Sequence, residues 1–514
     1  MTFLLGRLKF NDIIKVPRRY KNGPEHWATL RKKKTSKDKA LQHFDDFYSK
    51  VYGESWQLIR SALLKQSSKY IAVVNNFGNT KGTIEKFELM GAIDLKSIYE
   101  AQKRNLPIRN ARAKIKASKM GKEKWTNEEE VETHSPLEQA MGEKLKELQS
   151  VYPPNYEPSV SSLEEATRNE ERSKLAEPLS PVTMRSIEEE AVMDCKDHSR
   201  IVRSATGITS MTIHEYVPAT KIKGLEDWIL ESSHYNYYDQ DNDFSVQVEK
   251  DPVLSFPEHL KVYTFEALND SKFPSPRRGT EGVYDFYLMD GGSILPVLAL
   301  DLQPGDAVLD MCAAPGGKSL AALQTLMPRV LVANDVKLSR VNRLNNVIDE
   351  YFGDLDVWQD RLFVTNKDAR VLEDTDTFNK ILVDVPCTTD RHVLHEDENN
   401  IFKPTRIRER LQLPELQSEI LGQALKIVAP GGTIVYSTCS LSPIQNDGVV
   451  QMALKKSWEE TKSAFVVMDM MEALEPLRCL YKFGDYGLKY GHIVIPTKGN
   501  NWGPMYFCKI TKLR

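Results

Sequence analysis

Five short apolar segments in the C-terminal half of the chain constrain its fold more than any other feature of the sequence. They are 306–310 (DAVLD), 330–335 (VLVAND), 361–365 (RLFVT), 380–384 (KILVD) and 433–437 (TIVYS). Helical segments lie between most of them, and continuous apolar strands that alternate with helices predict a mostly parallel sheet covered on both faces. Segments 491–496 and 505–510, separated by a Gly/Asn/Pro-rich loop, predict an antiparallel pair that closes the sheet. We therefore predict an α/β domain over residues 223–514.

The rest of the chain divides into three segments that differ in composition. Residues 1–38 are basic, and the first 24 residues carry six Lys or Arg and one acid, interleaved with apolar residues. This composition is typical of a mitochondrial presequence or, alternatively, of a basic arm that binds RNA or is merely solvated. Residues 39–105 have apolar residues at helical spacing and predict a small N-terminal helical module. Residues 106–222 are rich in Glu, Lys, Ser and Pro, so we predict a low-complexity, mostly disordered insertion.

Charge and cysteine content exclude several classes of protein. Lys and Arg total 69 and Asp and Glu total 72, so any nucleic acid must be bound through a local patch or with the help of a partner. No apolar run approaches the ~18 residues of a membrane span, and we expect no membrane association. The six cysteines form no CxxC pair, which excludes zinc-ribbon and thioredoxin-like sites, and we predict no metal site. The low count fits a reducing compartment.

A run of small residues, 312–318 (CAAPGGK), follows the first predicted strand. Small residues let backbone N–H groups approach a ligand, and ligands of open parallel sheets bind beyond the carboxyl ends of the strands. The run fits neither the GxGxxG dinucleotide motif nor the Walker loop. Four successive strands end at or near an acid: Asp310, Asp335, Asp368 and Asp384. Asp335 is suited to bind the hydroxyls of a ribose and Asp368 an adenine amino group, so we predict a nucleoside-cofactor pocket.

Two cysteines follow the fourth and fifth predicted strands. Cys387 lies in DVPC and Cys439 in STCS, and because these strands are neighbours in a doubly wound sheet, both thiols should open into one cleft. Free cysteines usually pack as small apolar residues, which is our interpretation of Cys195, Cys479 and Cys508.

A paired thiol beside a cofactor suits methylation of cytosine. Carbon 5 of cytosine is a weak nucleophile, and a thiolate that adds to carbon 6 makes carbon 5 enamine-like and able to accept a methyl group. Asp384, three residues before Cys387, is suited to bind N3 and stabilise the charge that develops during addition. The target base must leave any helix to reach such a cleft.

The chain resembles the Sun-domain (Nop/Sun, Fmu-like) family of RNA cytosine-5 methyltransferases over about residues 255–514. The residues that carry the resemblance are DMCAAPGGKS (310–319), VANDVKLSRVNRL (332–344), DVPCTTDRH (384–392) and STCSLSPIQN (437–446). It implies the class I, Rossmann-like methyltransferase fold and S-adenosyl-L-methionine as the cofactor.

The resemblance also implies roles for individual residues. Cys439, in the TCS motif, matches the nucleophile of the RNA-modifying family, and Cys387, in PC, matches the cysteine that assists product release. The positions that match cofactor contacts are Gly316, Gly317, Lys318, Asp335, Arg340, Asp368, Ala369 and Asp384. Ala369 stands where the family often has Gly. Asn446-Asp447 stands where relatives usually have Asn-Glu, so the role of Asp447 stays open.

Within this family, the resemblance is closer to the members that modify mitochondrial ribosomal RNA. It implies the mitochondrial matrix, a role in assembly of the mitochondrial ribosomal subunit, and the absence of a separate RNA-binding domain beyond the catalytic fold. It also implies a helical-repeat partner of the mitochondrial termination-factor type. The residues are ALQHFDDFY (40–48), VVNNF (73–77), YLMDGGSILPVLAL (287–300), VDVPCTTDRHVLHEDENNIFK (383–403) and WGPMYFCKI (502–510).

A local basic cluster is the candidate contact for ribosomal RNA, since phosphate binding needs such a cluster. The residues are Arg391, His392, Lys403, Arg406, Arg408 and Arg410. The alternative is a solvated helix face.

Two rival functions stay open at this point. One is a DNA cytosine-5 methyltransferase in which Cys387 attacks, as the PC cysteine does in DNA enzymes. The other is a non-enzymatic scaffold for ribosome assembly that retains the fold.

Overall fold

The computed structural model describes residues 34–66, 69–106, 244–353, 358, 360–484 and 486–514. Most of the basic segment, nearly all of the predicted insertion, and residues 223–243 lie outside these ranges, so the predictions made for them stay predictions. The chain divides into two compact units, residues 1–103 with 208–514 and residues 104–207. Every helix and strand named below belongs to the first unit. No helix among the described residues is both long enough and apolar enough to cross a membrane.

The N-terminal elements combine helices with a small sheet. In chain order they are α1 (Ser36–Tyr52), α2 (Ser55–Leu63), β1 (Tyr70–Val74), α3 (Thr80–Leu89), β2 (Ile93–Asp94), β3 (Gln247–Lys250), β4 (Val262–Thr264) and β5 (Phe286–Asp290). Among the described residues a four-stranded sheet has the order β2-β4-β1-β5. We predicted a helical module over 39–105, and the structure adds β1 and β2 to its helices. The apolar run at 70–74 becomes a strand because β4 and β5, both beyond residue 260, satisfy its backbone hydrogen bonds.

The large sheet confirms the predicted α/β architecture. Its elements, with the helices between them, are α4 (Ile294–Ala299), β6 (Ala307–Asp310), α5 (Gly317–Leu323), β7 (Val330–Asn334), α6 (Leu338–Phe352), β8 (Leu362–Thr365), β9 (Phe378–Asp384), α7 (Asp390–His395), α8 (Ile407–Ile427), β10 (Val428–Thr438), α9 (Asp447–Glu460), β11 (Phe465–Asp469), α10 (Met471–Leu474), β12 (Phe483–Gly484), β13 (His492–Val494) and β14 (Met505–Lys512). The described strands run in the order β12-β13-β14-β10-β9-β6-β7-β8, and β11 adds to β14 and carries β3.

Strand direction brings the functional loops to one edge. Strands β8, β7, β6, β9 and β10 are parallel, and β14 pairs antiparallel with β10 and with β13, as the sequence predicted. The carboxyl ends of parallel strands lie at the same edge of a sheet. The loops after β6, β7, β8, β9 and β10 therefore meet there.

Helix α1 contacts α7 and shares a buried cluster with the large sheet. A capping box starts the helix: Asp38 N donates to Thr35 Oγ1 (3.2 Å), and Thr35 N donates to Asp38 Oδ2 (2.9 Å). Its apolar face, including Phe44 and Tyr48, belongs to the same buried cluster as Tyr436 of β10. Burial of each such side chain stabilises the fold by about 1.5–3 kcal/mol. The N-terminal helices thus share the core of the large sheet.

Candidate active site

The two predicted thiols lie side by side. Strands β9 and β10 pair in parallel, with Asp384 opposite Ser437, and the chain then continues to Cys387 and Cys439. The Sγ atoms of Cys387 and Cys439 are 3.1 Å apart, and either thiol can donate to the other. This distance confirms the predicted juxtaposition. Cys387 is 8% exposed, whereas Cys439 is partly exposed at the cleft.

An ion pair between buried Lys318 and half-buried Asp384 lies beside the thiols. Lys318 Nζ donates to Asp384 Oδ2 (2.7 Å), and Ser437 Oγ donates to Asp384 Oδ1 (2.8 Å). Burial opposes the charge on Lys318, but the carboxylate of Asp384 outweighs it, so the net pKa of Lys318 is raised. Lys318 therefore stays an ammonium and holds Asp384 in one orientation.

The resting form of Cys439 is a thiol. Its hydrogen bond with Cys387 and its burial raise its pKa well above the ordinary value, and the charge of Asp384 acts in the same direction. Lys318 acts in the opposite direction and favours the thiolate. Cys439 thus needs a proton acceptor or a change in its surroundings before it can react as a thiolate.

The loop after β6 requires glycines. Gly316 begins α5 with a φ of +112°, a conformation that L side chains rarely adopt, and a Cβ there would lie 2.8 Å from Leu344 Cδ1. A Cβ on Gly317 would lie 3.1 Å from Tyr287 Cε1. The side chains of Leu344 and Tyr287 therefore leave no room for larger residues at these two positions. The sequence analysis had assigned the same small residues to a ligand site.

Two acids at this edge carry oxygens without hydrogen-bond partners. Asp335 Oδ1 accepts from Lys337 N (3.1 Å), whereas Oδ2 lies 3.2 Å from Arg340 Nη1 without hydrogen-bond geometry. Arg340 also donates to the carbonyl of Ala314. Asp310 Oδ1 is buried without a partner. Oxygens that accept no hydrogen bond suit the hydroxyl donors of a nucleoside cofactor, so these residues fit S-adenosylmethionine.

Asp368, for which we predict a contact with adenine, binds Arg370 in the structure. Its carboxylate binds Arg370, with 2.7 Å between Oδ2 and Nη2, and this bond lowers the pKa of Asp368. Arg370 also pairs with Glu419 at 2.9 Å. Ala369 is buried in the turn 369–371, and its φ is not positive, so Ala is compatible with this backbone. The adenine contact stays a prediction.

Several side chains of the predicted basic cluster already contact other residues of the protein. Arg406 binds Glu409 through two contacts of 2.6 Å, and Arg410 lies over the ring of Phe402 at 4.6 Å. Arg391 donates twice to the carbonyl of Gly503, at 2.9 and 2.7 Å. His392 and Arg408 are exposed, whereas Lys403 is half-buried.

The sequence analysis assigned no role to Asp390, whose side chain and backbone contact the loop of Cys439 in the structure. Its buried carboxylate accepts from Thr388 Oγ1 (2.5 Å), Tyr48 OH (2.7 Å), Ser440 Oγ (3.2 Å) and Leu441 N (2.7 Å). Burial raises the pKa of Asp390, and these donors act in the opposite direction. The DRH motif contained this residue, but nothing in the motif indicates that the acid is buried.

Asn446 and Asp447 serve different loops. Asn446 accepts from Thr438 Oγ1 (2.6 Å) and donates to the carbonyl of Ser440 (3.0 Å), so it holds the loop of Cys439. Asp447 instead accepts from Tyr506 OH (2.6 Å) and from the backbone amides of 489–491. The shorter acid therefore acts at the segment that precedes β13. Within the described ranges, no group of His, Cys, Asp and Glu could hold a metal ion.

Comparison with known proteins identifies the family. The model described as "16S rRNA methyltransferase RsmB/F" matches residues 297–477. The 5-cytosine rRNA methyltransferase NSUN4 of Bos taurus is 47% identical over 260 residues, which are 50% of this chain and 67% of that protein. The nsun-4 protein of Caenorhabditis elegans is 33% identical over 94% of this chain and 93% of its own length. The NSUN4 protein of Xenopus laevis is 32% identical over 100% and 98%.

Among solved structures, NSun6 from Pyrococcus horikoshii with SFG is 23% identical, with a TM-score of 0.37 over 47% of this chain and 57% of that chain. The alignments with the nematode and frog proteins cover nearly the whole of this chain and nearly the whole of each relative. This chain therefore belongs to the RsmB/F (Nop/Sun) family of S-adenosylmethionine-dependent RNA cytosine-5 methyltransferases.

Proposed function

We propose that this protein methylates carbon 5 of a cytosine in mitochondrial ribosomal RNA, with Cys439 as the nucleophile and Cys387 as the residue that assists release. The observation that carries the proposal is the 3.1 Å contact between the two sulfur atoms, beside the Lys318–Asp384 pair. The names of the relatives, 5-cytosine rRNA methyltransferases, support the substrate.

The first step in the proposal is covalent. Cys439 gives its proton to the neighbouring carboxylate of Asp384, its sulfur bonds to C6 of the cytosine, and the electrons of the C5–C6 double bond move toward C5. The Lys318 ammonium favours the thiolate, and Asp384 passes the proton taken from Cys439 to N3, which stabilises the developing charge. S-adenosylmethionine, when bound, supplies the electrophilic methyl group. Gly316, Gly317, Asp335 and Arg340 are the residues we expect to hold it, together with the backbone at 368–369.

The second step releases the product. The C5 proton leaves to a base, the S–C6 bond breaks, and its electrons return to Cys439. Cys387 supports this step because its sulfur lies within hydrogen-bond distance of the sulfur that leaves. A thiol there can give a proton to the departing thiolate, while its own thiolate can accept one.

The test compares single cysteine variants. Cys439→Ala should abolish methyl transfer from labelled S-adenosylmethionine to mitochondrial ribosomal RNA. Cys387→Ala should accumulate a covalent protein–RNA adduct, seen as a shifted band in a denaturing gel, because addition proceeds while release fails. Cys479→Ala, at an exposed cysteine, is the matched control and should retain full turnover. Unimpaired methylation by the Cys439 variant would exclude the mechanism.

The same assay separates the DNA alternative. A DNA cytosine-5 methyltransferase that attacks with Cys387 would label DNA and would lose its adduct in the Cys387 variant. We expect label in RNA alone.

The cellular part of the proposal places the protein in the mitochondrial matrix, with a helical-repeat partner of the termination-factor type and a role in ribosome assembly. Its support is the resemblance to mitochondrial ribosomal-RNA methyltransferases and the basic composition of residues 1–38. Bisulfite mapping of mitochondrial ribosomal RNA with and without the protein should identify one cytosine whose modification is lost. Purification of the tagged protein from mitochondria should recover the partner. Ribosome profiles of cells with the Cys439→Ala protein separate an assembly role from catalysis.

A further inference from the structure

Helix α1, at the start of the described chain, contacts the loop that carries the proposed nucleophile. Tyr48 OH donates to Asp390 Oδ2 (2.7 Å), and Tyr52 OH, one turn further along, donates to the carbonyl of Leu441 (2.5 Å). Both tyrosines are buried, and Asp390 is inaccessible to solvent. Two consecutive turns of one helix thus hold a loop that is nearly 400 residues away in sequence.

Asp390 passes this contact to the backbone around the thiol. Its carboxylate accepts from Ser440 Oγ and Leu441 N, the two residues that follow Cys439, while its own backbone N–H donates to the carbonyl of Cys439 (3.3 Å). A buried carboxyl group needs hydrogen-bond partners around it, and leaving one of its oxygens unsatisfied destabilises the fold. The loss of the Tyr48 donor therefore disturbs the groups that fix the nucleophile loop.

The surroundings of α1 make this contact rigid. The ring of Tyr48 stacks on Phe44 at 4.9 Å and meets the edge of Trp56 at 5.4 Å, and Tyr52 meets Tyr486 at 4.6 Å. These ring contacts hold both tyrosine side chains in place. A helix that only covered the core would need no hydroxyls at these two positions, since Phe would bury the same apolar surface.

We propose that Tyr48 and Tyr52, acting through Asp390 and the carbonyl of Leu441, are positioning residues that hold Cys439 in its reactive place, so that the N-terminal helix is part of the catalytic apparatus. The proposal rests on the role of Cys439 given above. The two tyrosines touch neither substrate nor cofactor. Their effect belongs in kcat, because a nucleophile displaced by about 1 Å can lose up to about 10²-fold in rate.

The first measurement is steady-state methylation of RNA by Tyr48→Phe, which removes one oxygen and keeps the ring. We expect kcat to fall about tenfold and KM for RNA to change less than about twofold. Tyr481→Phe is the matched control: Tyr481 is equally buried, and its hydroxyl donates to the carbonyl of Gly291 (2.8 Å), away from the nucleophile loop. Its kcat should equal that of the parent.

The second measurement probes the thiol itself without RNA or cofactor. In a Cys387→Ala background, iodoacetamide alkylation of Cys439 is followed by peptide mass spectrometry from pH 7 to 10. With the neighbouring thiol gone, burial remains to raise the pKa of Cys439, so a loosened loop exposes the thiol and lowers that pKa. Tyr48→Phe should therefore speed alkylation at least about threefold while it slows methylation. Opposite changes in the two rates are not expected from a general loss of folded protein.

Each result decides the proposal. Unchanged alkylation and unchanged kcat in Tyr48→Phe would overturn it, and so would equal effects from Tyr481→Phe. If Tyr48→Phe does not fold by circular dichroism, Tyr52→Phe takes its place with the same expected result. Full methylation by Cys439→Ala would instead refute the proposed function, and the alkylation rates would still report whether α1 holds the loop.

Discussion

The carboxyl of Asp310, at the end of β6, should make the stability of the protein depend on pH. The side chain is 1% exposed, Ser319 Oγ donates to Oδ2 (2.6 Å), and Oδ1 has no partner. Burial raises the pKa of Asp310 from 3.8 to about 7, and the charge of nearby Asp384 raises it further against the effect of Ser319. The folded protein therefore retains this proton at pH values where the unfolded chain has lost it.

The magnitude follows from the two pKa values. A carboxyl with a raised folded pKa contributes its full stability below the unfolded value, and this contribution is lost as the pH rises through the folded value. For Asp310 the window runs from about pH 4 to about pH 7. Each pH unit within it corresponds to about 1.4 kcal/mol, so the loss between pH 5 and pH 8 is about 3 kcal/mol.

The assay is urea unfolding at pH 5, 6, 7 and 8. Asp310→Asn can accept the same bond from Ser319 and cannot ionise, so it should lose about 3 kcal/mol of the wild-type difference between pH 5 and pH 8. Asp270→Asn, at a side chain that is 90% exposed, is the matched control and should keep the wild-type slope. Parallel pH curves for wild type and Asp310→Asn would refute the argument that burial holds this proton.

Three further predictions concern the residues around the cofactor loop and the ion pair. Gly316→Ala should destabilise the fold by about 1–2 kcal/mol in urea unfolding, because φ is +112° and the new Cβ meets Leu344; wild-type stability would contradict the strain. Lys318→Met should lower kcat by about 10² in the RNA methylation assay, since it removes the ammonium that orients Asp384, and a change confined to KM would argue against that role. Asp335→Asn should weaken S-adenosylmethionine binding by at least about tenfold in calorimetry, and an unchanged Kd would remove this residue from the predicted site.

The sheet and the thiol pair were predictable because their signals are local. Continuous apolar runs with turn residues at their ends determine β6 and β9, and the rule that ligand sites lie at the carboxyl ends of neighbouring strands brings Cys387 and Cys439 together. Cys387 lies three residues after the end of β9, and Cys439 lies one residue after the end of β10. These distances are too short for the chain to move the thiols away from the strand ends.

The missed features depend on partners far away in sequence. Tyr48 donates a hydrogen bond to Asp390, which lies 342 residues further along the chain. No sequence pattern around either residue indicates that the two are in contact. Strand β1 was not predicted for the same reason, because the strands it pairs with, β4 and β5, follow the insertion in sequence. Asp368 shows the opposite case: Arg370, two residues further on, binds its carboxylate at the surface, and this local contact competes with the role predicted from strand position.

The buried carboxyl group of Asp390 links the loop of Cys439 to distant segments. A charge in the interior requires donors on several sides. The loop after β9 provides Thr388, the loop after β10 provides Ser440 and the amide of Leu441, and Tyr48 donates from a further side. Helix α1 fills that side, so the geometry around Cys439 should loosen when α1 separates from the sheet, before the sheet itself unfolds. Methylation should therefore be lost at a lower urea concentration than the fluorescence change that reports unfolding of the core.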